Sequence, residues 1–168
     1  TIRRAVREEL KLDEETPLIA VAGRFQPVKG HALLLDAAPR LFERFPRLRI
    51  LFIGEALFGS RDESDERNRL IARVEAAGWG ERVRFLGWRD DARRLMRGLD
   101  ALIIPSASES FGMAAVEGLE AGIAVVATDR GGTPEIVAPP TTGRLFRSGN
   151  AVDLAARIIG VLESRAGF

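Results

Sequence analysis

Six short apolar runs, separated by longer polar or amphipathic segments, constrain the fold more than any other feature of the sequence. The runs lie at residues 18–22, 48–53, 83–86, 101–104, 124–128 and 143–146. They are typical of buried β-strands because they are short and rich in aliphatic side chains. Strands that alternate with helices form a mostly parallel sheet. The sequence therefore predicts an α/β fold in which helices cover both faces of a doubly wound, six-stranded sheet.

Length and composition indicate one domain that spans residues 1–168. The chain is 46% hydrophobic, which provides a sizeable core, and neither a linker nor an internal repeat divides it. Its net charge is +1, without a basic stripe that would indicate a nucleic-acid partner. Cysteine is absent, which excludes disulfides and cysteine-based catalysis. The apolar runs are too short to span a bilayer, and we expect a cytoplasmic protein.

Local signals also predict where helices start and end. Residues 2–10 are typical of a short amphipathic helix, which Pro17 separates from the first strand. Asp90 and Asn150 are predicted to cap the helices that follow them. The helix that ends near Ala77 is predicted to present a solvated, charged face.

Residues 105–117 form the stretch on which the functional interpretation rests, because they close the fourth strand, open a helix and carry two carboxylates. Ser110, or alternatively Ser108, is predicted to cap this helix. With Ser110 as the cap, three backbone N–H groups lack partners within the helix and can bind a phosphate. These groups belong to Phe111, Gly112 and Met113.

The two carboxylates of this stretch are spaced to reach a single ligand. Glu109 precedes the first turn, and Glu117 lies almost two turns beyond Ser110 on the same face of the helix. A nucleoside diphosphate sugar could place its phosphate at the helix start and its hydroxyl groups against both side chains. The alternative interpretation is an ordinary strand, loop and helix with solvated glutamates.

The loop after the first strand supplies two cations next to a helix start. Arg24 and Lys29 follow Gly23 in this loop, and Lys29 is one of only two lysines among 25 basic residues. Two positive charges at the carboxyl end of a strand form a suitable clamp for a diphosphate. The alternative is a surface loop with solvated cations. His31, the only histidine, is predicted as a polar residue at the helix start, with ligand contact as the alternative.

The loops after the third and fifth strands add further candidates. Trp88 and Arg89 follow the third strand, where Trp88 could stack on a base or serve packing alone. Gly131 and Gly132 follow the fifth strand and allow a ligand to approach the backbone closely. Because the carboxyl ends of parallel strands meet at one edge of a sheet, these loops together indicate one ligand site.

Four segments carry a resemblance to a known family. They are Gly23-Arg24 with Lys29-Gly30, Ile53-Gly54, Phe85-Leu86-Gly87, and the stretch from Pro105 through Glu109 and Glu117 to Gly131-Gly132 and Glu135. They resemble the C-terminal, donor-binding domain of retaining glycosyltransferases of the GT-B fold, family 4. The resemblance implies a Rossmann-like half of an enzyme that transfers a sugar from a UDP- or GDP-linked donor to a glycan, glycolipid or polysaccharide acceptor. The acceptor domain is not in this sequence, so we expect the chain to bind a nucleotide sugar without turnover.

The resemblance also implies a role for each candidate residue. Arg24 and Lys29 would neutralise the diphosphate leaving group and Glu109 would contact the donor sugar, which makes these three the catalytic residues. The nucleotide sugar would be bound by Gly23, Trp88, Arg89, Ser110, Phe111, Gly112, Met113, Glu117, Gly131 and Gly132. No cofactor or metal ion is expected. In the full-length protein, a glycolipid acceptor would bring the enzyme to the inner face of a membrane.

The chain departs from the family pattern at three positions. Gly118 and Glu120 stand where the family usually has Ala, and Ala124 where it usually has Pro. Gly within a helix costs on the order of 1 kcal/mol relative to Ala, and Glu120 adds a charge to a helix that is expected to pack on the sheet. Two alternatives therefore stay open. They are a nucleotide-sugar epimerase, whose acid and base groups are not found here, and a stand-alone scaffold module that has lost affinity.

Overall fold

The computed structural model describes residues 1–108, 112–139 and 141–166. The strands are β1 (Leu18–Ala22), β2 (Arg49–Ile53), β3 (Val83–Gly87), β4 (Ala101–Ile104), β5 (Ala124–Thr128) and β6 (Gly143–Phe146). The helices are α1 (Ile2–Glu9), α2 (His31–Arg44), α3 (Arg61–Ala76), α4 (Ala92–Met96), α5 (Met113–Glu120), α6 (Thr133–Ile136) and α7 (Ala151–Ala166), and a 3₁₀ turn (Pro27–Lys29) follows β1. None of the helices in these described ranges is both long and apolar enough to cross a membrane.

The six strands form one parallel sheet in the order β3-β2-β1-β4-β5-β6. All of their carboxyl ends therefore lie at the same edge. The chain builds outward from β1 in one direction and then from β4 in the other, so the strand order reverses between β1 and β4. Ligands of open α/β sheets bind beyond the carboxyl ends at such a switch point. The structure thus confirms the predicted doubly wound, six-stranded fold.

Helices cover both faces of the sheet, and alternate side chains of each strand pack on opposite layers. Ile19 and Val21 of β1 belong to the core with α2, α3 and α7. Leu18 and Ala20 belong to the core with α1, α4 and α5. All four of these side chains are buried. Burial on both faces explains why β1 is a continuous apolar run rather than an alternating one.

The helix α5 lies close to the sheet because Gly118 has no side chain. A Cβ atom at Gly118 would lie 2.9 Å from Cγ2 of Val125 and 3.0 Å from Cδ2 of Leu102. This close packing offsets the low helix propensity of glycine. Glu120, on the same helix, is exposed, so the expected conflict between its charge and the packed face does not arise.

The helix α1 ends within one residue of the predicted bounds of 2–10, well before Pro17. Its C-cap is Leu10, and Lys11 then takes a left-handed φ of 58° that turns the chain away from the helix. At the other end of the chain, the predicted cap of α7 is confirmed. The Oδ1 atom of Asn150 accepts a hydrogen bond from the backbone N–H of Asp153 at 2.9 Å.

A buried carboxylate ties the first and last helices to the sheet. Asp100 accepts hydrogen bonds from the backbone N–H of Leu18 at 2.8 Å and from Nη2 of Arg7 at 3.0 Å. Its carboxylate also forms ion pairs with Arg3 and Arg165, at 2.8 and 2.5 Å. Burial lowers the pKa of Arg7, and the charge of Asp100 opposes that shift. The buried cluster therefore depends on the negative charge of Asp100.

Candidate functional site

The carboxyl ends of β1, β2 and β3 open into a cleft of about 470 Å³. Its walls are the loops that follow these three strands. The predicted site residues Gly23, Arg24, Trp88 and Arg89 line it, together with Ala22, Ile53, Gly54, Glu55, Ala56, Leu57, Phe58 and Ala92. The structure thus brings the loops after the first and third strands to one place, and adds the loop after the second.

A second cavity, of about 450 Å³, lies at the opposite edge of the sheet. Its lining includes Arg97, Ala121 and Arg165, which lie at the C-terminal ends of α4, α5 and α7. The carbonyl groups of helix C-termini favour cations over anions. None of the predicted site residues lines this cavity. We therefore place the candidate site in the cleft at the carboxyl edge, which we call the carboxyl-edge cleft.

The floor of the carboxyl-edge cleft is made of backbone. Gly23 donates its N–H to the carbonyl of Ile53 at 2.9 Å, and Gly54 donates to the carbonyl of Gly87 at 2.8 Å. A Cβ atom on Gly54 would lie only 2.3 Å from the carbonyl oxygen of Gly23. Glycine is therefore required at position 54 for the exits of β1 and β2 to approach each other.

Apolar side chains form an exposed rim around this floor. Trp88 is 68% exposed and Leu57 is 51% exposed, while Phe58 is fully open to solvent. Trp88 is thus not a core residue, which leaves its indole face free to cover a flat ring such as a nucleobase. Leu57 and Phe58 were not among the predicted site residues, because they belong to none of the motifs on which the predicted site rests.

Arg24 reaches the carboxyl-edge cleft, but its guanidinium is paired with a carboxylate. The Nε and Nη2 atoms of Arg24 both lie 2.8 Å from Oε1 of Glu63. Glu63 is buried in the first turn of α3, and its Oε2 accepts from the backbone N–H of Leu57. The prediction of a solvated face on this helix is therefore wrong for Glu63. Ser60-x-x-Glu63 is the pattern of a helix capping box, which marks Glu63 as a carboxylate with a protein partner but does not predict its pairing with Arg24.

The side chain of Arg89 is committed to other protein groups rather than to the cleft. Its guanidinium donates to Asp91 at 2.8 and 3.0 Å and to Glu9 of α1 at 2.7 Å. Hydrogen bonds to Asp91 and Glu9 raise the pKa of Arg89. The prediction that Asp90 caps α4 is wrong. The N-cap residue is Asp91, whose carboxylate makes no capping bond because it pairs with Arg89.

Lys29 lies beside the cleft, at the switch point between β1 and β4. It borders a small depression of about 30 Å³ together with Ser106 and with Ala114 of the first turn of α5. A Cβ atom on Gly30 would lie 1.9 Å from the carbonyl oxygen of Pro105, so the loops after β1 and β4 touch through their backbones. An ammonium group beside a helix N-terminus is a favourable place for an anion.

The helix α5 starts two residues later than predicted. Its N-cap is Gly112, with a left-handed φ of 65°, and Met113 is its first residue, so Ser110 is not the cap. A Cβ atom on Gly112 would lie 2.6 Å from Cδ1 of Ile136, which makes glycine necessary at this point. With Gly112 as the cap, the N–H groups of Met113 and the two residues after it lack partners within the helix and are helix-start donors. Glu109, Ser110 and Phe111 lie outside the described residues.

Glu117 and the glycine pair lie around α5 rather than in the carboxyl-edge cleft. Glu117 borders a groove between α4 and α5, where its Oε1 is 3.8 Å from Nη2 of Arg93. Gly131 and Gly132 precede α6 beyond the end of β5. A Cβ atom on Gly112 would lie 3.7 Å from the carbonyl carbon of Gly132. The glycine loop therefore adjoins the start of α5, while Glu117 lies further along that helix.

His31 begins α2, as predicted, but it is a core residue. Its ring is only 2% exposed and packs on Phe25 and Phe52, with ring centroids 4.9 and 5.1 Å away. Neither ring nitrogen has a hydrogen-bond partner among the described residues. Burial, and to a lesser extent the charge of Lys29, lowers the pKa of His31 to about 4. His31 is therefore neutral at pH 7 and belongs to an aromatic cluster. In the described ranges, no group of His, Cys, Asp or Glu side chains is arranged to hold a metal ion.

Comparison with protein families and curated sequences gives a consistent result. Residues 2–166 match the family model described as glycosyl transferases group 1. A phosphatidyl-myo-inositol mannosyltransferase of Mycolicibacterium smegmatis is 39% identical over 153 residues, which cover 87% of this chain and 37% of that protein. A D-inositol 3-phosphate glycosyltransferase of Nocardia farcinica is 35% identical over 167 residues, which cover 97% of this chain and 36% of that protein. The chain thus spans little more than a third of these relatives.

Solved structures share the fold over nearly the whole chain. The Anabaena protein HepE, in complex with UDP and glucose, superposes with a TM-score of 0.86 at 30% identity, covering 98% of this chain and 43% of HepE. The complex of HepE with UDP-glucose gives a TM-score of 0.83 at 31% identity, with 98% and 44% covered. The C-terminal domain of a group 1 glycosyl transferase from Francisella tularensis gives 0.84 at 25% identity, with 98% and 84% covered.

Proposed function

This chain belongs to the glycosyl transferases group 1 family, and from that premise we propose that it is the donor-binding domain of a retaining glycosyltransferase. The donor would be a UDP- or GDP-linked sugar, and the acceptor a glycan, a glycolipid or a polysaccharide. The chain alone would bind the donor without turnover, because acceptor binding and the remaining catalytic groups belong to a second domain. The full-length enzyme would work in the cytoplasm, at the inner face of the membrane where its acceptor is a glycolipid.

One observation carries this proposal. The carboxyl-edge cleft has a backbone floor, an exposed indole and a cation, and Lys29 lies next to it at the switch point of the sheet. Nucleotides bind at this point of doubly wound sheets. HepE, which shares the fold at 30% identity, has been solved with UDP and with UDP-glucose.

The arrangement of side chains supports an orientation for the donor. The base would lie in the carboxyl-edge cleft against Trp88, and the diphosphate would extend towards Lys29 and the first turn of α5. There the ammonium and the helix N–H groups would stabilise the negative charge that develops on the diphosphate as it leaves. Glu117, further along α5, would bind ribose hydroxyl groups. Glu109, outside the described residues, would contact the donor sugar.

Isothermal titration calorimetry with UDP, GDP and ADP tests the proposal. We expect one of them to bind, and Lys29→Ala to weaken that binding by about tenfold or more, because a charge-assisted contact to phosphate is lost. Glu117→Ala is expected to weaken it as well. Lys11→Ala is the matched control, since it removes the other lysine, which lies just after α1 and away from the cleft.

The result with the wild-type chain decides between the proposal and its alternative. If a folded sample binds none of the three nucleotides, the donor-binding function is wrong and a scaffold role is favoured. If a nucleotide binds but Lys29→Ala and Lys11→Ala lower its affinity equally, the nucleotide does not bind beside Lys29. Incubation of the chain with the matching nucleotide sugar and glycolipid is expected to yield no transfer product.

A further inference from the structure

We propose that Glu63 is a positioning residue for nucleotide binding, which holds the Arg24 guanidinium in the orientation that receives the diphosphate. The inference rests on the proposed donor-binding function and extends it to a residue behind the cleft wall. Glu63 does not line the carboxyl-edge cleft. It contacts two groups that do, Arg24 and the backbone of Leu57. Glu63 would therefore act on the ligand only through its neighbours.

The burial of Glu63 is the first argument. Its side chain is 5% exposed, whereas Arg61, Asp62 and Ser64 around it on α3 are exposed. Burying a carboxylate is unfavourable unless hydrogen bonds and an opposite charge compensate for the lost water. Arg24 provides two N–H donors and the opposite charge. The Glu63 carboxylate and the Arg24 guanidinium therefore fix each other.

The second argument is that Glu63 does not perform the usual task of a carboxylate at its position. In a capping box, the residue three places after the cap reaches back to the N–H of the cap residue. Here the Ser60 hydroxyl does accept from the N–H of Glu63, at 3.3 Å. The N–H of Ser60, however, donates to the carbonyl of Leu57 at 2.9 Å. The Glu63 carboxylate is directed across to Arg24 instead, so helix capping does not explain its orientation.

The third argument is the donor capacity that remains on Arg24. A guanidinium carries five N–H donors in a rigid plane, and Glu63 engages two nitrogen atoms on one side of it. The Arg24 side chain is 49% exposed. Because Glu63 holds Nε and one Nη, the plane of the guanidinium is fixed. The directions of its remaining N–H donors are therefore fixed as well. Without Glu63, the side chain would sample many rotamers, and a phosphate would have to order them on binding.

A double-mutant cycle on nucleotide affinity tests this inference. The variants are Arg24→Ala, Glu63→Ala and the combination, titrated with UDP, or with GDP if that is the nucleotide that binds. We expect Glu63→Ala to lower the affinity for the nucleoside diphosphate by about five- to tenfold. In the Arg24→Ala background, Glu63→Ala is expected to change affinity by less than about twofold, since the residue it orients is gone. The affinity for the corresponding nucleoside, which has no phosphate, should differ by less than about twofold between wild type and all three variants.

Controls separate positioning from stability. Asp62→Ala removes the neighbouring exposed carboxylate of α3 and is expected to leave affinity unchanged. Glu63→Gln keeps the shape of the side chain and one acceptor oxygen, and it replaces Glu63→Ala in the cycle if thermal melts show the alanine variant to be unfolded. Glu63→Gln is expected to lower diphosphate affinity less than Glu63→Ala does. In the Arg24→Ala background, Glu63→Gln should likewise have no effect on affinity.

Two results would overturn the inference. One is an additive cycle, in which Glu63→Ala lowers the affinity for the diphosphate by the same factor with and without Arg24. The other is a nucleoside affinity that falls as much as the diphosphate affinity, which would assign to Glu63 only the support of the loop at Leu57. Failure of the wild-type chain to bind any nucleoside diphosphate would instead overturn the proposed function, and the inference with it.

Discussion

Replacing His31 by Phe should remove a pH dependence of stability that this one residue creates. His31 is buried between two aromatic rings, and its pKa is about 4 instead of the ordinary 6.5. In the unfolded chain it titrates near 6.5. Between pH 6.5 and pH 4, the unfolded chain therefore binds a proton that the folded chain does not. The free energy of unfolding falls as the pH is lowered through this window, and above pH 6.5 it is independent of His31.

The magnitude follows from the two pKa values. Their difference of about 2.5 pH units, at about 1.4 kcal/mol per unit, gives roughly 3 kcal/mol of stability lost between pH 7 and pH 4. His31→Phe keeps an aromatic ring and removes both buried nitrogen atoms that lack hydrogen-bond partners. At pH 7 we expect the variant to lie within about 2 kcal/mol of wild type, because the added volume opposes the gain from removing unpaired polar atoms.

The assay is urea unfolding, followed by tryptophan fluorescence, at pH values from 7.5 down to 4. The quantity of interest is the variant's free energy of unfolding minus that of wild type, which should rise by roughly 3 kcal/mol across this range. Carboxylates with lowered pKa values, such as Asp13 at about 2, are common to both proteins and cancel in the difference. Because His31 is the only histidine, no second imidazole contributes. A difference that stays constant within about 0.5 kcal/mol would refute the reasoning.

A control variant separates loss of packing from loss of the titrating group. Phe85 contacts Phe25 and Phe52, the same rings that enclose His31. Phe85→Leu should lower stability by about 1 kcal/mol, by a similar amount at each pH. A pH-dependent difference in this control as well would assign the effect to the cluster and not to His31.

Two further predictions concern stability, each with a matched control and each measured by chemical denaturation. Asp100→Asn should destabilise the fold by about 3–5 kcal/mol, because it leaves the buried Arg7 without its counter-charge. The control Asp36→Asn breaks an exposed ion pair with Arg73 and should cost less than about 1 kcal/mol. Gly30→Ala should destabilise the fold by more than about 3 kcal/mol, since the added Cβ atom would overlap the carbonyl of Pro105. Gly59 has nearly the same φ but open space around it, so the control Gly59→Ala should cost only about 1–2 kcal/mol.

The sheet could be predicted because its four central strands, β1, β2, β4 and β5, are buried on both faces. Continuous apolar runs bounded by glycine or proline mark such strands without reference to their neighbours. The helix starts were less predictable, because several residues compete for the cap. Ser110 has the better capping side chain, yet the helix begins at Met113. Gly112 takes the left-handed conformation there and packs against Ile136, a contact with a segment more than twenty residues away.

The edge of the sheet that carries the candidate site was also predictable, whereas the partners of its charged residues were not. The positions of Arg24, Trp88 and Lys29 in loops after strands are enough to bring them to one edge. The pairing of Arg24 with Glu63 depends on how α3 lies against the loop after β1. Sequence spacing within a helix does not reveal contacts of this kind, so Glu63 looked like one of many solvated charges.

Exposed apolar surface provides an independent argument for a site covered by other groups. Among the described residues, the large hydrophobic side chains that remain exposed are Ile2, Val28, Leu57, Phe58, Trp88, Met113 and Val152. All but Ile2 lie in loops or first helical turns that follow the carboxyl ends of strands. Random exposure would not select one edge, and clustered apolar surface marks ligand or protein contacts. A nucleotide in the carboxyl-edge cleft would cover the side chains near Trp88. Met113 begins α5, and Val28 lies against the loop after β4, where its carbonyl accepts from the N–H of Ala107 at 2.8 Å. The proposed second domain would have to approach this region for the sugar to reach its acceptor.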